Sequence, residues 1–356
     1  MNLKKLIGIN FGLILILLEF CTYFIYRANP FIFFPGFINV EKVACNKEEN
    51  KECTSEQFHN TLGWNTRGED PYGNGIRESN ISKNYPLKCG AAFGDSFTYS
   101  SDVKPEYSWT SNLSNLMKCD ISNFGVGGYS YVQSYLKYDL YKPEKEIIIF
   151  LVYEEMLKRS LASSNYFIEN IRNKFIYPRP FLDRDRKIVQ VPNPLNNKSL
   201  MNHVYKDWYG ESPKLNFPYF LTLLRSIFFG PKTNPSFLHS QAYNTWKMRS
   251  DELDFFEIFV DFAKKNIEPL SDKKILIAFL PASFALERNI DIQKRIDEVD
   301  LGKICVSNPA KMMIKLNESK DENLLGPTGH FNEKGELYLS QAIFYQISDC
   351  WPELVK

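Results

Sequence analysis

Histidine is scarce in this chain. Only His59, His203, His239 and His330 occur in 356 residues, and no His/Asp/Glu group has the spacing of metal ligands. No Cys-x-x-Cys pair occurs either, which argues against a zinc site. Net charge is almost absent: 43 Lys+Arg stand against 42 Asp+Glu, leaving +1. A chain so balanced carries no basic footprint for nucleic acid. No internal repeat is visible, so a solenoid or propeller is excluded.

What is present points to a globular body. Hydrophobic residues make up 44% and aromatics 15% of the chain, too many for disorder, and 356 residues suffice for a large core. The N-terminus reads Met-Asn-Leu-Lys-Lys and then runs apolar over 6–26, broken by Asn10 and Glu19. At 1.5 Å rise per residue such a run reaches across a hydrocarbon core of roughly 30 Å. Lys4 and Lys5 before it place the N-terminus in the cytoplasm and the rest outside. No small-x-small site follows the run, so an uncleaved anchor is expected rather than a signal peptide. Of seven cysteines, Cys21 lies in this anchor and six lie beyond it. An even number on the exported side fits an oxidising compartment. The expected organisation is an anchor at 1–26, an extended arm with short strands at 27–86, and one α/β domain at 87–356.

Within that domain the periodicity alternates. Strands are expected at 89–93, 121–124, 147–152, 275–280 and 304–306, with helices at 106–117, 129–141, 243–266 and 334–347. The run Ile147 to Val152 is apolar throughout, as in a strand covered on both faces. This order predicts a parallel sheet with right-handed crossovers. Residues 160–240, rich in aromatics and proline, break the rhythm and read as an insertion or lid.

Three blocks carry chemistry. Phe93-Gly94-Asp95-Ser96-Phe97-Thr98 falls where the first strand ends, and ligands of open α/β sheets bind beyond the carboxyl ends of strands. A serine there can project its hydroxyl into a cleft; the bland reading is a turn with an N-capping serine. Asn123-Phe124-Gly125-Val126-Gly127-Gly128 follows the second strand. It lacks the third glycine of a dinucleotide loop. Gly329-His330-Phe331-Asn332 precedes the last helix and offers a base on the same rim.

In this order the three blocks resemble the SGNH (GDSL-type) hydrolase family over roughly 88–160 and 270–350. Leu62-Gly63-Trp64 and Pro192-Asn193-Pro194 are similar to a membrane-anchored bacterial subgroup. The resemblance implies a three-layer sandwich around a central parallel sheet, here with an N-terminal transmembrane helix. It implies Ser96 as nucleophile, His330 as base, and the N–H groups of Ser96 and Gly128 as oxyanion donors, with Asp95 adjacent and no cofactor or metal. Two positions depart. Glu154 stands where the family has an asparagine donor, and an ionised carboxylate cannot donate. Thr328 and Pro327 stand where the family places the aspartate that orients the histidine; Asp321 is the nearest upstream substitute.

The expected activity is ester hydrolysis outside the cytoplasmic membrane, removing acyl groups from envelope or secreted glycans through a Ser96 acyl-enzyme. The alternatives are a glycan O-acyltransferase of the same fold and, given the two departures, a non-catalytic glycan-binding or scaffold protein. Expected partners are an acylated carbohydrate or other ester and, through 6–26, the membrane. Cys89 and Cys119 open sequential strands, close enough to be bridged. Cys45–Cys53 would close a small ring in the arm, and Cys305–Cys350 would tie the C-terminus to the sheet.

Overall fold

The computed structural model describes residues 3–28, 56–59, 61–66, 75–77, 85, 88–162, 179–183, 185–190, 218–221, 224, 253–270, 272–280, 290–317 and 322–355. Two compact units emerge: one from Met1–Cys53, Ala162–Arg179 and Val191–Leu253, the other from Thr54–Leu161, Pro180–Gln190 and Asp254–Lys356.

In the first unit, helix α1 (Leu3–Ala28) covers the expected anchor. It exposes Leu13, Ile14, Leu15, Ile16, Leu17, Phe20 and Phe24. Glu19, the charge that interrupts the run, accepts hydrogen bonds from the backbone N–H groups of Tyr219 (2.7 Å) and Phe220 (3.0 Å). The expectation of a transmembrane helix meets a limit here. Among the described residues no helix is long and apolar enough to cross a membrane, with Asn10 and Glu19 lowering the hydropathy of α1.

The second unit is built on a five-stranded sheet. Its strands are β3 (Lys88–Gly94), β4 (Asp120–Asn123), β5 (Ile147–Tyr153), β8 (Lys274–Leu280) and β9 (Cys305–Ser307). All neighbours are parallel, in the order β4-β3-β5-β8-β9. Strands β5 and β8 are buried almost end to end, which is why their sequences are apolar without alternation. One face carries Ile147, Ile149, Leu151, Leu276 and Ala278 against Trp109 and Leu113 of α3 (Trp109–Met117) and Leu339, Ile343 and Ile347 of α9 (Glu333–Cys350). On the other face, Phe93 and Phe150 meet Tyr138 of α4 (Tyr131–Tyr141), and Phe279 meets Phe256 and Phe259 of α6 (Phe255–Phe262). The result is helix, sheet, helix. Chain order reverses at β3, whose neighbours are β4 on one side and β5 on the other; a crevice opens beyond the carboxyl ends at such a point.

The sequence placed these strands within a residue or two. It missed α5 (Glu154–Arg159), α7 (Ile290–Glu298) and α8 (Pro309–Asn317). In the arm expected to hold short strands, the structure makes an antiparallel pair of β1 (Glu56–His59) and β2 (Gly63–Thr66). A short antiparallel pair, β6 (Phe181–Leu182) and β7 (Ile188–Val189), also went unforeseen.

Cys89–Cys119 and Cys305–Cys350 are bonded, with Cα separations of 5.9 and 6.3 Å. Cys45–Cys53 lies outside the described residues. The first bridge ties the starts of β3 and β4 and closes a loop of 30 residues. Replacing both its cysteines by serine should cost about 2–4 kcal/mol of stability. Thermal melting with and without reductant reads this: the variant should melt lower than oxidised wild type and lose the sensitivity to reductant that this bridge contributes.

Candidate active site

Strand β3 ends at Gly94, and the chain turns at once into a four-residue helix, α2 (Ser96–Tyr99). Asp95 is its N-cap: the carboxylate accepts from Phe97 N–H at 3.0 Å. Cap and turn leave Ser96 partly exposed while Asp95, Phe97 and Thr98 are buried. The nucleophile candidate therefore sits on a turn fixed from below.

Asn123, at the end of β4, fastens this turn to the glycine block. Its amide donates to Thr98 O (2.7 Å) and Thr110 Oγ1 (3.2 Å), and its Oδ1 accepts from Gly125 N–H (2.9 Å). Gly128 takes a positive φ of 71°, which glycine adopts without strain. Beside it, Trp64 Nε1 donates to Gly127 O at 3.0 Å and Tyr129 donates its hydroxyl to Trp64 O at 2.6 Å. The residues of β2 thus brace the glycine block.

His330 comes from the segment before α9. Its Nε2 lies 2.7 Å from Ser96 Oγ, within reach for direct proton transfer. The Phe97 ring stands 5.0 Å from the imidazole, centroid to centroid, and Tyr153 packs on Phe97 at 4.6 Å. On the far side, His330 Nδ1 is 2.7 Å from Thr328 Oγ1. That hydroxyl in turn bonds Asp102 Oδ1, and Thr328 N–H donates to Asp102 Oδ2 at 3.0 Å. A chain of four side chains results: Ser96, His330, Thr328, Asp102.

The two carboxyls near the site differ. Burial pushes Asp95 up from the ordinary carboxylate range, although Arg159, 3.0 Å away, the Phe97 N–H and the charge of His330 all oppose it. For Asp102 desolvation also pushes up, but the two hydrogen bonds from Thr328, the charge of His330 and its backbone N–H together outweigh it, and the pKa is lowered. Glu154 opens α5 at the carboxyl end of β5 and is partly buried.

Sequence reasoning singled out Ser96, His330, Thr328 and Asp95, and these four lie together. It missed Asp102, Arg159, Arg77 and Glu336. Asp321, His203 and His239 lie outside the described residues. Among the described residues no group of three or more His, Cys, Asp or Glu could hold a metal ion.

Glu336 is fully buried on α9. Its Oε2 accepts from Ser100 Oγ (2.8 Å) and from Trp109 N–H (2.7 Å), while Oε1 has no partner. Burial, opposed by these two bonds and by Arg77, raises its pKa from 4.5 to about 8. A raised acid favours folding in its protonated form. The contribution is full below pH 4.5 and is lost as pH rises through about 8. Glu336→Gln should remove that slope. Melting temperatures of the two proteins, measured across this pH window, should converge in acid and separate in alkali, with the variant the more stable there. Parallel profiles would show that Glu336 does not titrate in the window.

No protein-family model matches the chain, and no curated protein matches it. Solved structures that resemble it include two lipolytic proteins of the G-D-S-L family. That from Desulfitobacterium hafniense DCB-2 has 12% identity and a TM-score of 0.34, covering 73% of this chain and 99% of its own. That from Veillonella parvula DSM 2008 has 10% identity and a TM-score of 0.33, covering 74% and 97%. A third is a two-domain esterase active on acetylated mannans, crystallised with mannopentaose, with 12% identity and a TM-score of 0.31, covering 80% of this chain and 58% of its own. These likenesses are distant, and the chemistry of the site rests on its own geometry.

Proposed function

We propose that this protein is a serine ester hydrolase. The observation that carries the reading is the 2.7 Å contact between Ser96 Oγ and His330 Nε2, made at the carboxyl end of a central parallel strand. Ser96 Oγ attacks the ester carbonyl while Nε2 takes its proton. The tetrahedral oxyanion is received by the backbone N–H groups of Ser96 and Gly128. Its collapse expels the alcohol, which leaves with the proton from the imidazolium. Water then repeats the sequence on the acyl-enzyme, freeing the acid. Glu154 cannot replace the missing asparagine as a donor while ionised, so the oxyanion relies on backbone donors.

The substrate class we propose is an acylated glycan of the cell envelope or a secreted one. Two disulfides in the second unit favour an oxidising compartment, and the exposed apolar residues of α1 favour attachment of the chain to the membrane. In cell fractionation the full chain should sediment with membranes; recovery in the soluble fraction would remove the anchor from the reading.

The function itself is tested with purified full-length protein on p-nitrophenyl acetate and on an O-acetylated polysaccharide, following acetate release. Turnover on both, lost in Ser96→Ala, is the expected result. Folded wild type that releases no more acetate than Ser96→Ala from either substrate would overturn it.

A further inference from the structure

We infer that Asp102, acting through the hydroxyl of Thr328, fixes the tautomer and orientation of His330, so that a carboxylate from another loop fills the place left empty beside the histidine. The inference deepens the esterase reading and rests on it for its kinetic consequences, though not for its structural test.

Proton counting carries it. Thr328 Oγ1 has one proton and two partners, Asp102 Oδ1 and His330 Nδ1. An ionised carboxylate only accepts, so the hydroxyl proton goes to Asp102. The oxygen lone pair must then accept from the ring, which makes Nδ1 the protonated nitrogen. Nε2 is left bare, 2.7 Å from Ser96 Oγ: the tautomer a general base needs. When Nε2 takes the serine proton, the cation that forms is joined through one hydroxyl to a fixed negative charge.

The position of Asp102 is set from several sides. It accepts from both the N–H and the hydroxyl of Thr328. Gly326 packs against it so closely that a Cβ there would lie 2.5 Å from Oδ2, and Gly326 N–H closes the turn on His330 O at 2.7 Å. From below, Arg77 donates to the carbonyls of Tyr99, Ser100 and Val103, and Glu336 holds Ser100. Two carboxyls act on His330. Asp95 lies under Ser96 and is paired with Arg159; Asp102 is the one joined to Nδ1 through Thr328. Asp102 and Thr328 are thus positioning residues.

Asparagine at 102 reverses the chain. Its amide can donate to Thr328 Oγ1, freeing that hydroxyl proton for Nδ1 and forcing the proton onto Nε2. The test is long-range proton–nitrogen NMR on the full chain with isotope-labelled histidine, at a pH where the ring is neutral. The His330 signals are assigned by their loss in His330→Gln. Wild type and Thr328→Ser should show Nδ1–H, and Asp102→Asn should show Nε2–H. In kinetics, Asp102→Asn and Thr328→Val should each lower kcat about 100-fold or more with little change in KM, by analogy with loss of the orienting aspartate in a serine protease. Thr328→Ser should restore most of the rate. Thr328→Val and Thr328→Ser leave the turn around Asp102 in place, and melting curves verify folding. A wild-type Nε2–H ring, or an unchanged tautomer in Asp102→Asn, overturns the inference. The tautomer is read without turnover, so an inactive wild type showing Nδ1–H would sink the esterase reading and leave this one standing.

Discussion

Ser96→Ala and His330→Ala are each expected to lower kcat on a simple acetate ester by about 10⁴-fold or more, and the double variant should be no worse than either alone. Alanine at 96 removes the atom proposed to become acylated. Alanine at 330 leaves the Ser96 hydroxyl, now 2.7 Å from a nitrogen, with no base in contact. Because the two side chains perform one step together, removing the second costs nothing further. The proposed oxyanion donors are backbone N–H groups and persist in both variants, so a small residual rate above water is expected. Steady-state kinetics on variants matched for melting temperature decide it. A loss of less than tenfold in either single variant would mean that the contact is structural.

Gly125→Ala is expected to be strongly damaging. A Cβ at 125 would lie 2.2 Å from Tyr99 N and 2.6 Å from Thr98 C. Both atoms belong to backbone, so neither can rotate away. They form the end of the helix that begins with Ser96, and the clash must push either that helix or the glycine block out of register. Overpacking of this kind costs about 3 kcal/mol at the upper end of its usual range. Activity should fall with stability, because the displaced element carries the proposed nucleophile. Denaturant melts together with acetate release would show both. A variant with wild-type midpoint and rate would indicate that the two segments are not held together as tightly as these distances require.

The parts of the molecule that could be read in the sequence are those governed by local rules. Ile147–Tyr153 and Lys274–Leu280 declared themselves because a strand buried on both faces needs no polar alternation. Ser96, Gly128 and His330 could be singled out because each lies next to the end of an element, Ser96 and Gly128 after a strand and His330 before the last helix, inside a block of unusual composition. The short helix Ile290–Glu298 did not: its residues are mostly charged and polar, and three isoleucines among them satisfy a surface loop equally well. Asp102 could not be read at all. It meets Thr328 across a separation of 226 residues, and nothing around Ser101-Asp102-Val103 marks it. A partial signal was present at Thr328, a hydroxyl standing where an aspartate was expected; a hydroxyl can pass a hydrogen bond onward, which pointed to an acceptor beyond it. Glu336 was hidden for a different reason. In the sequence it is one of two acids in the first turn of α9, a common place for a solvated carboxylate, and only the packing of α3 against α9 buries it.

The central claim is that Ser96 is an activated nucleophile. Incubating the full-length protein with a serine-reactive phosphonate, then mapping the adduct by mass spectrometry, tests this without any assumption about substrate. One adduct should form, on the peptide carrying Ser96, absent from Ser96→Ala and strongly slowed in His330→Ala. Folded protein that takes up no phosphonate at Ser96, or labels equally in His330→Ala, would contradict it.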